Sequence, residues 1–380
     1  MKRILVGLFT AAMIMTLGIS TMVMGDESSE KDYARIIQEI PSDADVETAI
    51  KIEKRNNKYI AAIQMLFDED SYKAYNKAYS AMKKEETMEA VQAAVDARND
   101  LVQIDTVENR IWFIWDGVEM PVVDGEQYTE EDLDSSQMFG YGYEPIAIKY
   151  LVDDQSTCKG NIIACSGGAM KVWSNGSEGY PAAKVFNDLG YNFFLLQRRV
   201  EPYSNEDIFM DFQRLIRVVK YHAVQEGYGG QDMFAGLGWS GGCRTLLGTI
   251  SYFYGHVTPA EYDSDYIPDS IDEISADLDV ALALYGYAIL DPDAGNTALP
   301  CFYICAGTAD TTIDPQNSID IYDQVTALGI PAELNLIEGA EHGFGVGLAP
   351  ATGQAPGTEE WPAQADIFMQ SHLGFQSERP

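Results

Sequence analysis

The sequence predicts an α/β protein, a mostly parallel and doubly wound sheet preceded by a small helical unit. Three observations carry this expectation. From Gly160 onward, continuous apolar segments alternate with amphipathic ones, and unbroken apolar strands are what a sheet covered on both faces requires. Residues 26–109 instead repeat apolar side chains at three and four with charges between them, the pattern of helices burying one stripe. Finally, Asp232 to Thr245 reads DMFAGLGWSGGCRT, an apolar run that passes through glycines into a helix start and sets Ser240 at the turn.

Taken in order, residues 1–25 place Lys2 and Arg3 before the run ILVGLFTAAMIMTLGISTMVMG, followed abruptly by DESSEKD. This is the layout of a secretory signal, with cleavage expected after Gly25 and an exported, cell-surface or secreted protein as the consequence. The competing expectation is an uncleaved anchor, because the run is near bilayer length; otherwise no span is expected. In the helical unit the repeats fall at Ile50, Ile52, Tyr59, Ile60, Ile63, Leu66 and Phe67, then at Met88, Val91, Ala94, Val95, Leu101 and Val102. Ser42 and Asp43 after Pro41 are candidate caps.

At residue 109 the texture changes. RIWFIWDGVEMPVV and YEPIAIKYLV read as strands around an acidic, turn-rich stretch from Asp124 to Gln137. Beyond them we expect the strands GNIIACS, YNFFLLQ, DMFAGLGW, VALALYGYAIL, CFYICAG and AELNLIEG. The helices between them are expected around Tyr180–Leu189, Asp207–Gln225, Gly242–Phe253 and Pro315–Leu328, with a last one near Ala363–His372. The chain thus divides into 1–25, 26–109 and 110–380.

Composition excludes some partners. With 59 acidic against 25 basic residues and a formal net charge of -34, the chain would be repelled by nucleic acid and by anionic membrane surfaces. Its five cysteines are odd in number, so at least one is free. Cys301 and Cys305, four apart on one strand, are too far from each other to pair. No cysteine or histidine spacing suits a metal knuckle. No metal and no cofactor is expected.

The chemistry starts from Ser240 in G-x-S-x-G, the pattern of a nucleophile elbow, where neighbours without a Cβ let the backbone turn sharply and a substrate approach. A serine hydroxyl needs a base, and the base needs a carboxylate to hold its tautomer. Of the four histidines, His222 sits within a helix pattern, His256 follows a helix end and His372 lies in the last helix. His342 stands in GAEHGFG directly after the last strand, at the edge of a parallel sheet where ligand-handling groups collect. Asp310 comes straight off the strand CFYICAG, whereas Asp314 precedes Pro315 and suits a helix cap. The order Ser240, Asp310, His342 follows. The glycine-rich CSGGAM after GNIIA supplies backbone N–H groups for an oxyanion hole.

These residues resemble the α/β-hydrolase superfamily, and within it the acetyl-xylan-esterase-like and hormone-sensitive-lipase-like bacterial carboxylesterases. The matching text is CSGGAMKVWSNGSEGYPAAKVFNDLGYNFFLLQRRV, the elbow, the strand entry ISADLDVALALYG, the acid loop GTAD and the histidine loop EHGFG, in that order over about residues 140–375. The resemblance implies the α/β-hydrolase fold and a serine esterase, with Ser240 as nucleophile, His342 as base, Asp310 as its orienter, and Gly168, Ala169 and Gly241 as oxyanion donors. Ser166 stands where the family has His or Pro, and Ala169 where it has a third glycine. Met170, Trp173, Trp239 and Tyr203 are candidate substrate contacts, with packing as the alternative. The implied substrate is a small acyl ester, acetyl or aromatic acyl on plant carbohydrate. Two rivals remain: a serine peptidase of the prolyl-oligopeptidase kind, which would normally carry a large β-rich domain absent here, and a non-catalytic binding protein on the same fold. The helical unit has no counterpart in the resemblance and is expected to cover the site or dock a partner.

Overall fold

The computed structural model describes residues 33–123, 128, 144–287, 290–291 and 299–374. The signal-like residues 1–25 and nearly all of the acidic stretch at 124–137 lie outside the described residues.

After a helical segment at residues 33–36 come α1 (Val46–Ala62), α2 (Glu69–Glu85), α3 (Met88–Leu101) and α4 (Ile104–Arg110). Polar caps start three of them. Asp45, Asp68 and Thr87 accept from the N–H groups of Thr48, Ser71 and Ala90, satisfying donors that a helix start leaves open. The cap of α1 is therefore Asp45 and not Ser42 or Asp43; those two lie in the preceding turn, which the Ala44 N–H closes on Pro41 O.

An eight-stranded sheet follows, built from β1 (Ile111–Phe113), β2 (Ile146–Tyr150), β3 (Gly160–Cys165), β4 (Tyr191–Gln197), β5 (Phe234–Trp239), β6 (Val280–Leu284), β7 (Cys301–Gly307) and β8 (Ala332–Ile337). Their order in space is β1-β2-β4-β3-β5-β6-β7-β8. The β1–β2 and β2–β4 pairs are antiparallel and every other pair is parallel. Between and after the strands lie α5 (Gly179–Asp188), α6 (Asn205–Gln225), α7 (Gly241–Tyr252), α8 (Gln316–Ala327) and α9 (Trp361–Ser371).

The strands β3 to β7 are buried on both faces over almost their full length, which accounts for their unbroken apolar sequences. One face packs on α6, α7 and α8 through Phe212, Leu215, Leu246, Ile250 and Ile321. The other packs on α5 and α9 through Phe186 and Trp361, and the helical unit adds Ile60, Tyr75, Met82 and Val91 to that same continuous cluster. The helices before the sheet thus extend one face of its core.

Two strands are shorter than expected. The first expected run yields only Ile111–Phe113, because the chain turns at once: the Asp116 N–H bonds Phe113 O and Gly117 takes a φ of 80°. The expected strand through residue 290 stops at Leu284, since Tyr285 has a φ of 33°, a conformation that no strand continues.

Candidate active site

Register brings the functional loops to one rim. Cys165 pairs with Gly238, Trp239 with Leu284, and Leu284 with Cys305, so the carboxyl ends of β3, β5, β6 and β7 stand side by side. The loop after β5 is the single residue Ser240. It has φ 50° and ψ -117°, and its N–H donates to Leu284 O at 3.0 Å. The turn is possible because β5 and α7 nearly touch: a Cβ at 242 would collide with Cys165 O, and one at 238 with the backbone of Gly242 and Cys243. Glycine at both flanks of the pattern is thus a steric requirement. Four of the five non-glycine residues with positive φ among the described residues, Ala169, Met170, Ser240 and Tyr285, surround this rim. Strain of that kind persists only where neighbouring structure enforces it.

The imidazole of His342 bridges Ser240 and Asp310. Its Nε2 lies 2.9 Å from Ser240 Oγ and its Nδ1 lies 2.7 Å from Asp310 Oδ2. The other carboxylate oxygen of Asp310 accepts from the N–H groups of Thr312 and Ile313 at 2.8 and 2.9 Å, and its side chain is 1% exposed. Three hydrogen bonds thereby hold the buried carboxylate, and the one facing His342 fixes which imidazole nitrogen carries the proton. Asp314, the alternative acid, accepts from the N–H of Gln316 at 2.9 Å ahead of α8 and stays outside this cluster. His222 stacks on Trp112 with 4.3 Å between centroids, His372 bonds Phe368 O, and His256 is exposed.

The loop after β3 lies against the start of α7. From the ideal Cβ position of Gly241, the nitrogens of Ala169 and Met170 are 3.0 and 3.2 Å away. Neither N–H has an acceptor among the described residues, and the N–H groups opening α7 have none within the helix either. Unfilled donors with the positive end of a helix dipole therefore gather beside Ser240 Oγ. Met170 joins Ala169 and Gly241 here through its backbone, a contribution that side-chain reasoning missed. Gly168, at φ 112°, forms the turn by accepting from the N–H groups of Lys171 and Val172.

The expected substrate contacts fare differently. Trp239 is fully buried and meets Trp361 edge-on at 6.5 Å, so it packs beneath the turn and does not line a pocket. The side chain of Met170 is buried too, with its sulfur 3.8 Å from Thr245 Oγ1. Tyr203 is buried against Tyr128. Trp239 faces inward as the last residue of β5, and Met170 and Tyr203 pack inward from loops of their own. Trp173 is half-buried, its Nε1–H donating to Arg198 O at 3.0 Å.

Two residues that the sequence did not single out complete the surroundings. Glu178, 3% exposed, accepts from the Gly167 N–H at 2.6 Å and from the Tyr285 O–H at 3.0 Å. Burial pushes its carboxyl up to about 7, against the lowering effect of those donors and of Arg198. Tyr285 presents its ring edge-to-face to His342 at 5.0 Å. The signals were slight: one acid in the uncharged text WSNGSEGYPAA, and a Tyr-Gly step at the end of a strand.

No family model and no curated sequence matches this chain. Solved structures do. A bifunctional acetyl ester-xyloside hydrolase from Caldicellulosiruptor lactoaceticus superposes with a TM-score of 0.51 at 19% identity, over 67% of this chain and 96% of that one. A thermophilic esterase from Thermogutta terrifontis gives 0.50 at 19% identity, over 70% and 95%. A carboxylesterase from Lactobacillus plantarum gives 0.50 at 14% identity, over 60% and 93%. At such identities the likeness speaks to architecture, and the architecture is the α/β-hydrolase fold.

Proposed function

We propose that the protein is an exported serine carboxylester hydrolase that works through an acyl-enzyme on small acyl esters. The observation that carries this reading is the unbroken chain Ser240 Oγ, His342 Nε2, His342 Nδ1, Asp310 Oδ2 at 2.9 and 2.7 Å, beside backbone donors that have no acceptor. Ser240 Oγ attacks the ester carbonyl while its proton passes to His342 Nε2, and the charged Asp310 stabilises the imidazolium. The carbonyl oxygen becomes an oxyanion held by the N–H groups of Gly241, Ala169 and Met170. Collapse breaks the ester bond, and the alcohol leaves with the proton from His342. Water, deprotonated by the same imidazole, then attacks the acyl carbon and regenerates Ser240.

Acetyl esters on plant carbohydrate are the proposed substrate class. The support is the acetyl ester-xyloside activity in the description of one structural neighbour, together with the resemblance of the motifs. Export rests on the basic, apolar and then acidic pattern of residues 1–30.

The test is hydrolysis of p-nitrophenyl acetate, butyrate and octanoate, of acetylated xylan, and of a peptide p-nitroanilide, each with wild type and Ser240→Ala. We expect turnover of the short esters and acetate release from xylan, both lost in Ser240→Ala. Cleavage of the anilide at rates matching the esters would favour a peptidase instead. A folded wild type that turns over none of them would favour a binding protein.

A further inference from the structure

Behind the reactive rim lies a buried carboxylate that the triad does not use. Glu178 ties together three loops that approach Ser240 from different strands. Its Oε2 holds the Gly167 N–H of the loop after β3 at 2.6 Å. Its Oε1 accepts from the hydroxyl of Tyr285, which follows β6, at 3.0 Å. The Tyr285 oxygen in turn accepts from the Gly345 N–H of the loop that carries His342, at 3.2 Å. Gly167 is wedged between the two: a Cβ at that position would come within 3.0 Å of both Glu178 Oε2 and Ser240 Cβ. One side chain therefore sets how the donor loop and the histidine loop lie against the nucleophile.

The groups facing Glu178 are few. Tyr285 comes from the end of β6, and its phenol is pushed well up by burial and by the carboxylate itself. Arg198 comes from the end of β4; its Nη1–H donates to Ser166 O at 3.2 Å, while Nε and Nη2 are buried without partners. Its charge favours the carboxylate but makes no hydrogen bond to it. The Cys165 thiol lies at the end of β3, raised by burial. Tyr180, two residues further along α5, is raised to about 12 by burial and bonds Asn175 and Gln197. His342 is one ring away, across Tyr285.

Resting on the esterase reading, we propose that Glu178 is a proton-operated positioning residue: as a carboxylate it fastens the oxyanion-donor loop and the Tyr285–His342 wall together, and on protonation it releases one of them. Each oxygen already accepts from one fixed donor. A proton on a remaining lone pair removes the charge that both hydrogen bonds depend on, and the weaker of the two lets go. Because burial holds the carboxyl up at about 7, the change falls within the pH range of an active enzyme. Activity then carries, on acidification, a step at Glu178 that loss of the base alone would not give.

Three measurements on the full chain test this. In the first, log kcat for p-nitrophenyl acetate against pH should fall in wild type with a local slope above one near pH 7, a step of roughly 10- to 100-fold on top of the loss of the base. In Glu178→Gln, which cannot accept at both positions, it should fall with a slope of one. That variant should also lose roughly 10- to 100-fold in kcat on the alkaline plateau with little change in KM, the scale of a misplaced donor set. Second, Tyr285→Phe removes a donor to the charged form, so the Glu178 midpoint should move to higher pH; this variant keeps the proposal exposed should Glu178→Gln fail to fold. Third, the Gly167 backbone amide resonance should titrate with a midpoint near 7 in wild type and be pH-independent in Glu178→Gln. Ester turnover with a slope of one in all variants and a flat Gly167 resonance would overturn the proposal and leave the esterase standing. A titrating Gly167 resonance in a protein that cleaves no ester would do the reverse.

Discussion

Two buried glutamates set the helical unit and the rim around Ser240 against each other. Glu53 on α1 is fully buried, and the Arg98 guanidinium from α3 donates to it, with Asn56 and Tyr75 alongside. Burial raises its carboxyl and Arg98 opposes that shift. Glu178 is nearly as enclosed, yet it is held only by a backbone N–H and a phenol, and its carboxyl reaches about 7. The first arrangement is an ion pair that locks two helices. The second keeps a titratable group within the working pH range beside a nucleophile. Burial alone does not assign a role; the partner does. A cation hydrogen-bonded to a buried acid ties it into the structure, whereas Glu178 is hydrogen-bonded by neutral donors, with the Arg198 charge near it but unbonded.

That contrast can be broken or sharpened by substitution. The largest effect belongs to the rim: Ser240→Ala should lower kcat by about 10^4-fold or more with an unchanged melting temperature, as read by ester turnover and calorimetry. Asp310→Asn should follow at roughly 10^3- to 10^4-fold, because the wrong imidazole tautomer then faces the serine; its crystal structure should retain the geometry. In the helical unit the readouts exchange places. Arg98→Met strands Glu53 as a buried charge and should cost about 3–5 kcal/mol of stability by denaturant unfolding, with kcat of the folded fraction unaltered. The double change of Arg98→Met with Glu53→Leu should recover most of that loss. If Arg98→Met instead lowered kcat at full stability, the division between the two regions would collapse. Smallest is Asp45→Ala, which removes the cap of α1 and should lower the unfolding midpoint slightly while leaving kcat unchanged.

What the sequence made legible follows the same division. Periodicity located the helices of both regions and the continuously apolar strands, because burial on one stripe or on two faces leaves its mark on every residue. Ser240, His342 and Asp310 were readable because each chemistry demands a particular residue type at a strand end. Glu178 and Tyr285 were not readable, since an acid opening a helix ordinarily serves the dipole in solvent and a tyrosine at a strand end ordinarily packs. Their roles come from where three separate loops meet, and that is a property of the closed sheet. Trp239 illustrates the opposite error: next to the nucleophile in the chain, it points into the core because successive strand residues face opposite sides. The short β6 is explained by Tyr285, whose backbone leaves the strand to place its ring beneath His342.

If the imidazole of His342 makes Ser240 nucleophilic, a fluorophosphonate should label the folded protein, as read by intact-protein mass spectrometry. One adduct per chain is expected, mapped to Ser240 in the peptide digest and absent from folded His342→Ala. A folded wild type that stays unmodified, or an adduct on Ser240 that forms equally fast in His342→Ala, would contradict it.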